Sequence, residues 1–127
     1  MVLDSSVGVK WVKPEAGREV ARSLLLAHQE RSIRIVVPAL FLEEVVAVSV
    51  RHGGAELGEK VWSSLRKADL TSIGLDDAVA NAAFDQCRLL GCTFYDSLAP
   101  ALAHLLDATL YSADARAHAG FPDVVLI

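Results

Sequence analysis

The stretch CTFYDSLAPALAHLLDATLYSADARAH carries two acids, Asp96 and Asp114, each placed where an otherwise apolar pattern breaks. Asp96 heads a helix-like run, and Asp114 directly follows the strand-like ATLYSA. Asp4 closes the apolar, strand-like MVL in the same way at the other end of the chain. Carboxylates brought together are hard oxygen donors of the kind Mg2+ and Mn2+ prefer. Such an ion polarises water and stabilises charge on a phosphoryl group, which is the chemistry of phosphodiester hydrolysis. Taken singly, each acid also reads as an ordinary helix cap. The two readings part on whether the fold carries these acids to one place.

The elements between them alternate in type. MVL reads as a buried strand, and SSVGVKWV as a short helix ended by Pro14. EAGREVARSLLLAHQERS places Val20, Ala21, Leu24, Leu25 and His28 at helical spacing, and the β-branched IRIVVP is a strand stopped at Pro38. A helix runs from Ala39 to about His52, where Gly53 and Gly54 close it, and AELGEKVWSSLRKA forms another. LTSIG is a third strand, and LDDAVANAAFDQCRLLG is a helix capped by Asp76 and stopped by Gly91. After Asp96 come a helix, the strand ATLYSA, a short helix through DARAHA and a terminal strand VVLI. Strands alternating with helices predict an α/β fold, with a central parallel sheet of about four to five strands covered on both faces. Open sheets of this kind bind ligands beyond the C-terminal ends of their strands. Asp4 and Asp114 both follow strands, so the topology offers them the same edge.

Bulk properties narrow the class. Residues 1–127 read as a single domain, long enough to bury roughly two-thirds of its unfolded surface. No apolar run reaches the ~18 residues of a membrane span, and MVLDSS lacks the basic and apolar regions of a signal peptide. A cytoplasmic location is the expectation. Cys87 and Cys92 fit neither a zinc knuckle nor a redox CxxC pair, and read as reduced, structural thiols. The net charge of −4 argues against a broad non-specific nucleic-acid surface. It leaves a nucleic-acid substrate open, because acids that hold metal ions add negative charge themselves.

In order, the chain reads strand–Asp4-Ser5-Ser6, PALFLEEV with Glu44 after Pro38, YDSLA with Asp96, and YSAD with Asp114. This set and its order resemble the PIN-domain nucleases, especially toxins of the VapC type, over nearly the whole chain. The resemblance implies a three-layer α/β/α domain and an acidic quartet of Asp4, Glu44, Asp96 and Asp114 holding Mg2+ or Mn2+. Asp4 and Asp96 are then direct ligands, Asp114 a ligand directly or through water, and Glu44 completes the shell or positions the attacking water. Ser6 falls at the family's small polar position, where it bonds a carboxylate or a water of the ion. The activity so implied is metal-dependent endonucleolytic cleavage of RNA, by the toxin of a type II toxin–antitoxin pair. A homodimer and an antitoxin whose tail covers the cleft follow from the same resemblance. Glu43 competes with Glu44, since adjacent helical positions point about 100° apart and only one faces the site. The spacing from Pro38 and the side shared with Leu40 and Val48 favour Glu44. Without metal, two carboxylates ~4 Å apart repel by roughly 4 kcal/mol at an effective dielectric of 20.

Other polar residues have plainer readings. Asp76, Asp77 and Asp85 lie on one helix as capping or solvated acids, and His28, His52, His104 and His118 form no metal-ligand pattern. Lys10, Lys13 and Arg116 read as solvated surface, with phosphate contact the alternative. Trp11 and Trp62 read as packing or interface residues. Pro100 departs from the family, whose members place an aliphatic or aromatic residue there. If the helix starts near Thr93, Pro100 bends it; if it starts at Asp96, the proline costs little. Two rivals from other classes remain: a catalytically silent PIN-fold module that binds RNA or protein, and a phosphatase with Asp4 as nucleophile. DSSVG lacks the second acid the phosphatase needs.

Overall fold

The computed structural model describes residues 1–127 as six helices around a five-stranded sheet. The strands are β1 (Val2–Leu3), β2 (Val36–Pro38), β3 (Thr71–Ile73), β4 (Leu110–Ser112) and β5 (Val124–Leu126). The helices are α1 (Ser5–Val12), α2 (Arg18–Gln29), α3 (Ala39–Ala68), α4 (Asp77–Leu90), α5 (Phe94–Leu105) and α6 (Ala115–His118). Every strand pairing is parallel, in the order β3-β2-β1-β4-β5. The chain therefore starts in the middle of the sheet and builds outward on both sides.

Period-two alternation sends neighbouring strand residues to opposite faces, and two separate cores result. Val2 and Leu110 pack with Val79, Ala83, Leu98 and Leu102 under α4 and α5. Leu3, Ile35 and Val37 pack with Val7, Ala21, Phe41 and Val45 under α1, α2 and α3. The architecture is thus three-layered, α/β/α, as the alternation of elements predicts. No helix is long and apolar enough to cross a membrane.

Two local features set the helices near the sheet's C-terminal edge. Gly8 on α1 lies so close to α3 that an added Cβ would stand 2.5 Å from Phe41 Cζ and 2.6 Å from Val45 Cγ2. That close approach packs the first turns of α3, and with them Glu44, against α1. Helix α3 breaks at Gly53 and Gly54, where Gly54 takes φ 76° and ψ −178°. The glycine pair separates two helical segments, as the sequence predicts.

Helix α4 is capped by Asp76, whose Oδ1 accepts from the Val79 N–H at 2.8 Å, and stops at Gly91 in the left-handed region. Helix α5 begins at Phe94, not at Asp96. Its cap is Thr93, whose Oγ1 accepts from the Asp96 N–H at 3.2 Å. Pro100 therefore sits inside the helix, where it is fully buried.

Candidate active site

Asp4 leaves β1 and caps α1. Its Oδ2 accepts from the Ser6 N–H at 3.0 Å and from the Ser6 hydroxyl. Capping uses one carboxylate oxygen and leaves Oδ1 without a protein partner, so the cap and ligand readings are compatible for this residue. Asp114 leaves β4 and caps the short α6, its Oδ1 accepting from the Ala117 N–H at 3.1 Å. Asp96 stands in the first turn of α5 and is bonded through its backbone alone, which leaves its carboxylate free. A carboxylate there also meets the favourable end of the helix dipole.

Glu44 is half-buried and Glu43 exposed, so the helix turns Glu44 inward and Glu43 out to solvent. Burial holds the Glu44 carboxyl above its ordinary value; the Ser5 hydroxyl opposes that shift, and the charges of Asp4, Asp96 and Glu43 add to it. Asp4 and Asp96 therefore lie near enough to Glu44 to act on its carboxyl. Asp114 approaches the others from β4. Its link to the others runs through two serines, Ser6 and Ser112, whose hydroxyl oxygens lie 3.4 Å apart.

Both serine hydroxyls are engaged elsewhere. Ser6 Oγ donates to Asp4 and accepts from the Ala113 N–H at 2.9 Å. Ser112 Oγ accepts from the Asp114 N–H at 2.9 Å and lies 2.7 Å from Nδ1 of the buried His118. His118 Nε2 lies 2.7 Å from the carbonyl oxygen of Asp96. A carbonyl only accepts, so Nε2 carries a proton, and in the tautomer with that proton alone Nδ1 accepts from the Ser112 hydroxyl. Each serine hydroxyl has then spent its proton, and the contact between them is simple packing.

The donor set suits a hard divalent ion. The four acids offer only oxygen, and the ion pairs of the chain, Lys10–Glu15, Lys60–Glu56 and Arg88–Asp85, leave all four without a Lys or Arg partner. No three carboxylates, thiols or imidazoles converge closely enough to hold one ion between them directly. A bound ion therefore requires side-chain adjustment or bridging water. Beside the site, burial raises the Cys92 thiol, with Cys87 and Asp96 adding to the shift, and both cysteines are free.

A family model described as PIN domain matches residues 1–122. The chain belongs to the PIN-domain family. Solved structures similar to this PIN domain include a toxin–antitoxin complex from Klebsiella pneumoniae (16% identity, TM-score 0.70, 98% of this chain and 94% of that one). Another is VapC20 of Mycobacterium tuberculosis, titled a Sarcin-Ricin loop cleaving toxin (15%, 0.72, 97% of each chain). A third is FitAcB from Neisseria gonorrhoeae (13%, 0.70, 99% of this chain and 96% of that one). At such identities the likeness establishes the fold. No curated protein sequence matches the chain.

One of the plainer readings changes in this PIN domain. Lys10 is buried rather than solvated: its Nζ donates to Glu15 Oε1 at 3.3 Å and to the Ala16 carbonyl, tying α1 to the loop that follows. Trp11 packs as predicted, edge-on to Phe41 and donating from Nε1 to the Ala21 carbonyl at 2.8 Å. His118 and Ser112 carry no local motif and escape sequence reasoning. The one signal was Pro100, whose missing N–H leaves the Asp96 carbonyl in need of another donor.

Proposed function

We propose that this chain is an endoribonuclease dependent on Mg2+ or Mn2+, and the toxin of a type II toxin–antitoxin pair. One observation carries the reading: Glu44, a carboxyl raised by burial and then by Asp4 and Asp96, stands at the C-terminal edge of the sheet with no basic residue paired to any of the three. Membership of the PIN family supports it, as do fold neighbours titled toxin–antitoxin complex and Sarcin-Ricin loop cleaving toxin. When bound, a divalent ion supplies positive charge at the scissile phosphate and a water acidic enough to attack near neutral pH.

The chain's own residues divide the remaining work. Asp4 and Asp96 are assigned as direct oxygen ligands, and Asp114 as a ligand directly or through water. Glu44 holds a proton more readily than an ordinary carboxylate, which suits it to orient the attacking water and accept its proton. Ser6 holds Asp4 in one orientation. In the cell the protein is read as a cytoplasmic homodimer whose cognate antitoxin covers the acids.

The test is cleavage of a labelled, structured RNA by wild type and Asp96→Asn, each with manganese, magnesium or EDTA. Metal-dependent cleavage by wild type and at least 100-fold slower cleavage by D96N is expected, with an apo melting temperature equal to or above wild type. Equal cleavage by both proteins traces the activity to a contaminant and overturns the reading. No cleavage by either, with no Mn2+ binding by calorimetry, replaces it with a PIN-fold binding module.

A further inference from the structure

Helix α5 carries a defect at its most sensitive point. Pro100 lies four residues after Asp96, so the helix has no N–H to give to the Asp96 carbonyl, and the proline ring crowds that same oxygen. A half-buried carbonyl left without a donor is unfavourable, and here it sits in the turn that carries the Asp96 side chain. His118 fills the gap from another element. Its Nε2 donates to the carbonyl at 2.7 Å, and the ring is itself held by Ser112 at 2.7 Å on the other nitrogen. Ser112 also takes the Asp114 N–H at 2.9 Å, so one imidazole joins the turn bearing Asp96 to the turn bearing Asp114. Only 1% of His118 is exposed, which shields both hydrogen bonds from competing water.

We propose that His118 is a positioning residue, setting Asp96 and Asp114 relative to each other by supplying the hydrogen bond that Pro100 removes. The inference rests on the nuclease reading, in which both acids belong to the metal site. It assigns His118 no contact with substrate and no proton transfer. Partners that orient carboxylate ligands typically change metal affinity about 10–100-fold when removed.

The test compares wild type, His118→Leu, His118→Gln and the double variant Pro100→Ala/His118→Leu. Mn2+ affinity of the metal-free proteins is measured by calorimetry, and kcat and KM for RNA separately. H118L is expected to bind Mn2+ about 10-fold more weakly or worse and to lose kcat, with KM for RNA unchanged. Glutamine can donate to Asp96 and accept from Ser112, so H118Q should recover most of the affinity. The double variant returns an N–H to helix α5 and should bind Mn2+ more tightly than H118L alone. Wild-type affinity in H118L overturns the proposal, as does a double variant no better than the single one. If H118L fails to fold, the double variant decides: fold regained together with Mn2+ binding supports positioning, and fold regained without it overturns positioning. A wild type that neither binds Mn2+ nor cuts RNA defeats the nuclease reading and this inference together. Loss of the inference alone leaves wild-type cleavage intact.

Discussion

Glu44 keeps its proton to a higher pH in the folded chain than the ordinary value of 4.5 that it has in the unfolded one. Its protonation therefore favours the fold fully below that ordinary value, and the benefit is lost as pH rises through the raised folded value. At neutral pH, without metal, the charged carboxyl is a burden on the native state. Glu44→Gln should melt higher than wild type in EDTA at pH 7.5, and the gap should close by pH 4; identical melting curves at pH 7.5 would contradict the burial of Glu44 beside the other acids. At this scale the sequence was only partly readable. Glu44 was separable from Glu43 because helical geometry allows one inward position. Lys10 and His118 were not, because their partners are fixed by how loops and helices meet in space. The bond from His118 to Asp96 spans 22 residues and leaves no periodic trace.

Helices reach the site through close packing and caps, and the two contribute differently. Gly8→Ala forces a methyl group into Phe41 and Val45, which are fully buried and have little room to move. Overpacking of this kind costs about 1–3 kcal/mol, so a matching fall in urea stability is expected. Cleavage should fall as well, since the helix carrying Glu44 is displaced. Asp76→Ala makes the opposite pairing. It removes a cap far from the acids in function, costs about 1 kcal/mol, and should leave cleavage by the folded protein at the wild-type rate. A cleavage defect in D76A would mean that α4 participates in the site. Elements were the most legible level: Pro14, Pro38, Gly53–Gly54 and Gly91 punctuate the chain chemically. The start of α5 was the exception, because Thr93 and Asp96 are both competent near a helix start, and only the bond from the Asp96 N–H to Thr93 decides between them.

For the whole molecule, the proposed metal site would give the native state a ligand that the unfolded chain lacks. Mn2+ at about 100 times its Kd should add about 2.7 kcal/mol, raising the melting temperature by roughly 10 °C in a domain of this size. An unchanged melting temperature at millimolar Mn2+ would count against a metal site. D96N should lose most of the shift.

The strand order has a consequence for how such a chain can vary over generations. Asp4 and Asp114 hang from β1 and β4, and α3 with Glu44 departs from β2, which are the three strands paired on both sides. The outer strands, β3 and β5, hold none of these acids at their ends. Substitutions that loosen or reshape either border are therefore insulated from the acids by a full strand pairing. Inheritance can rework the margins of the sheet while its middle is kept to one design.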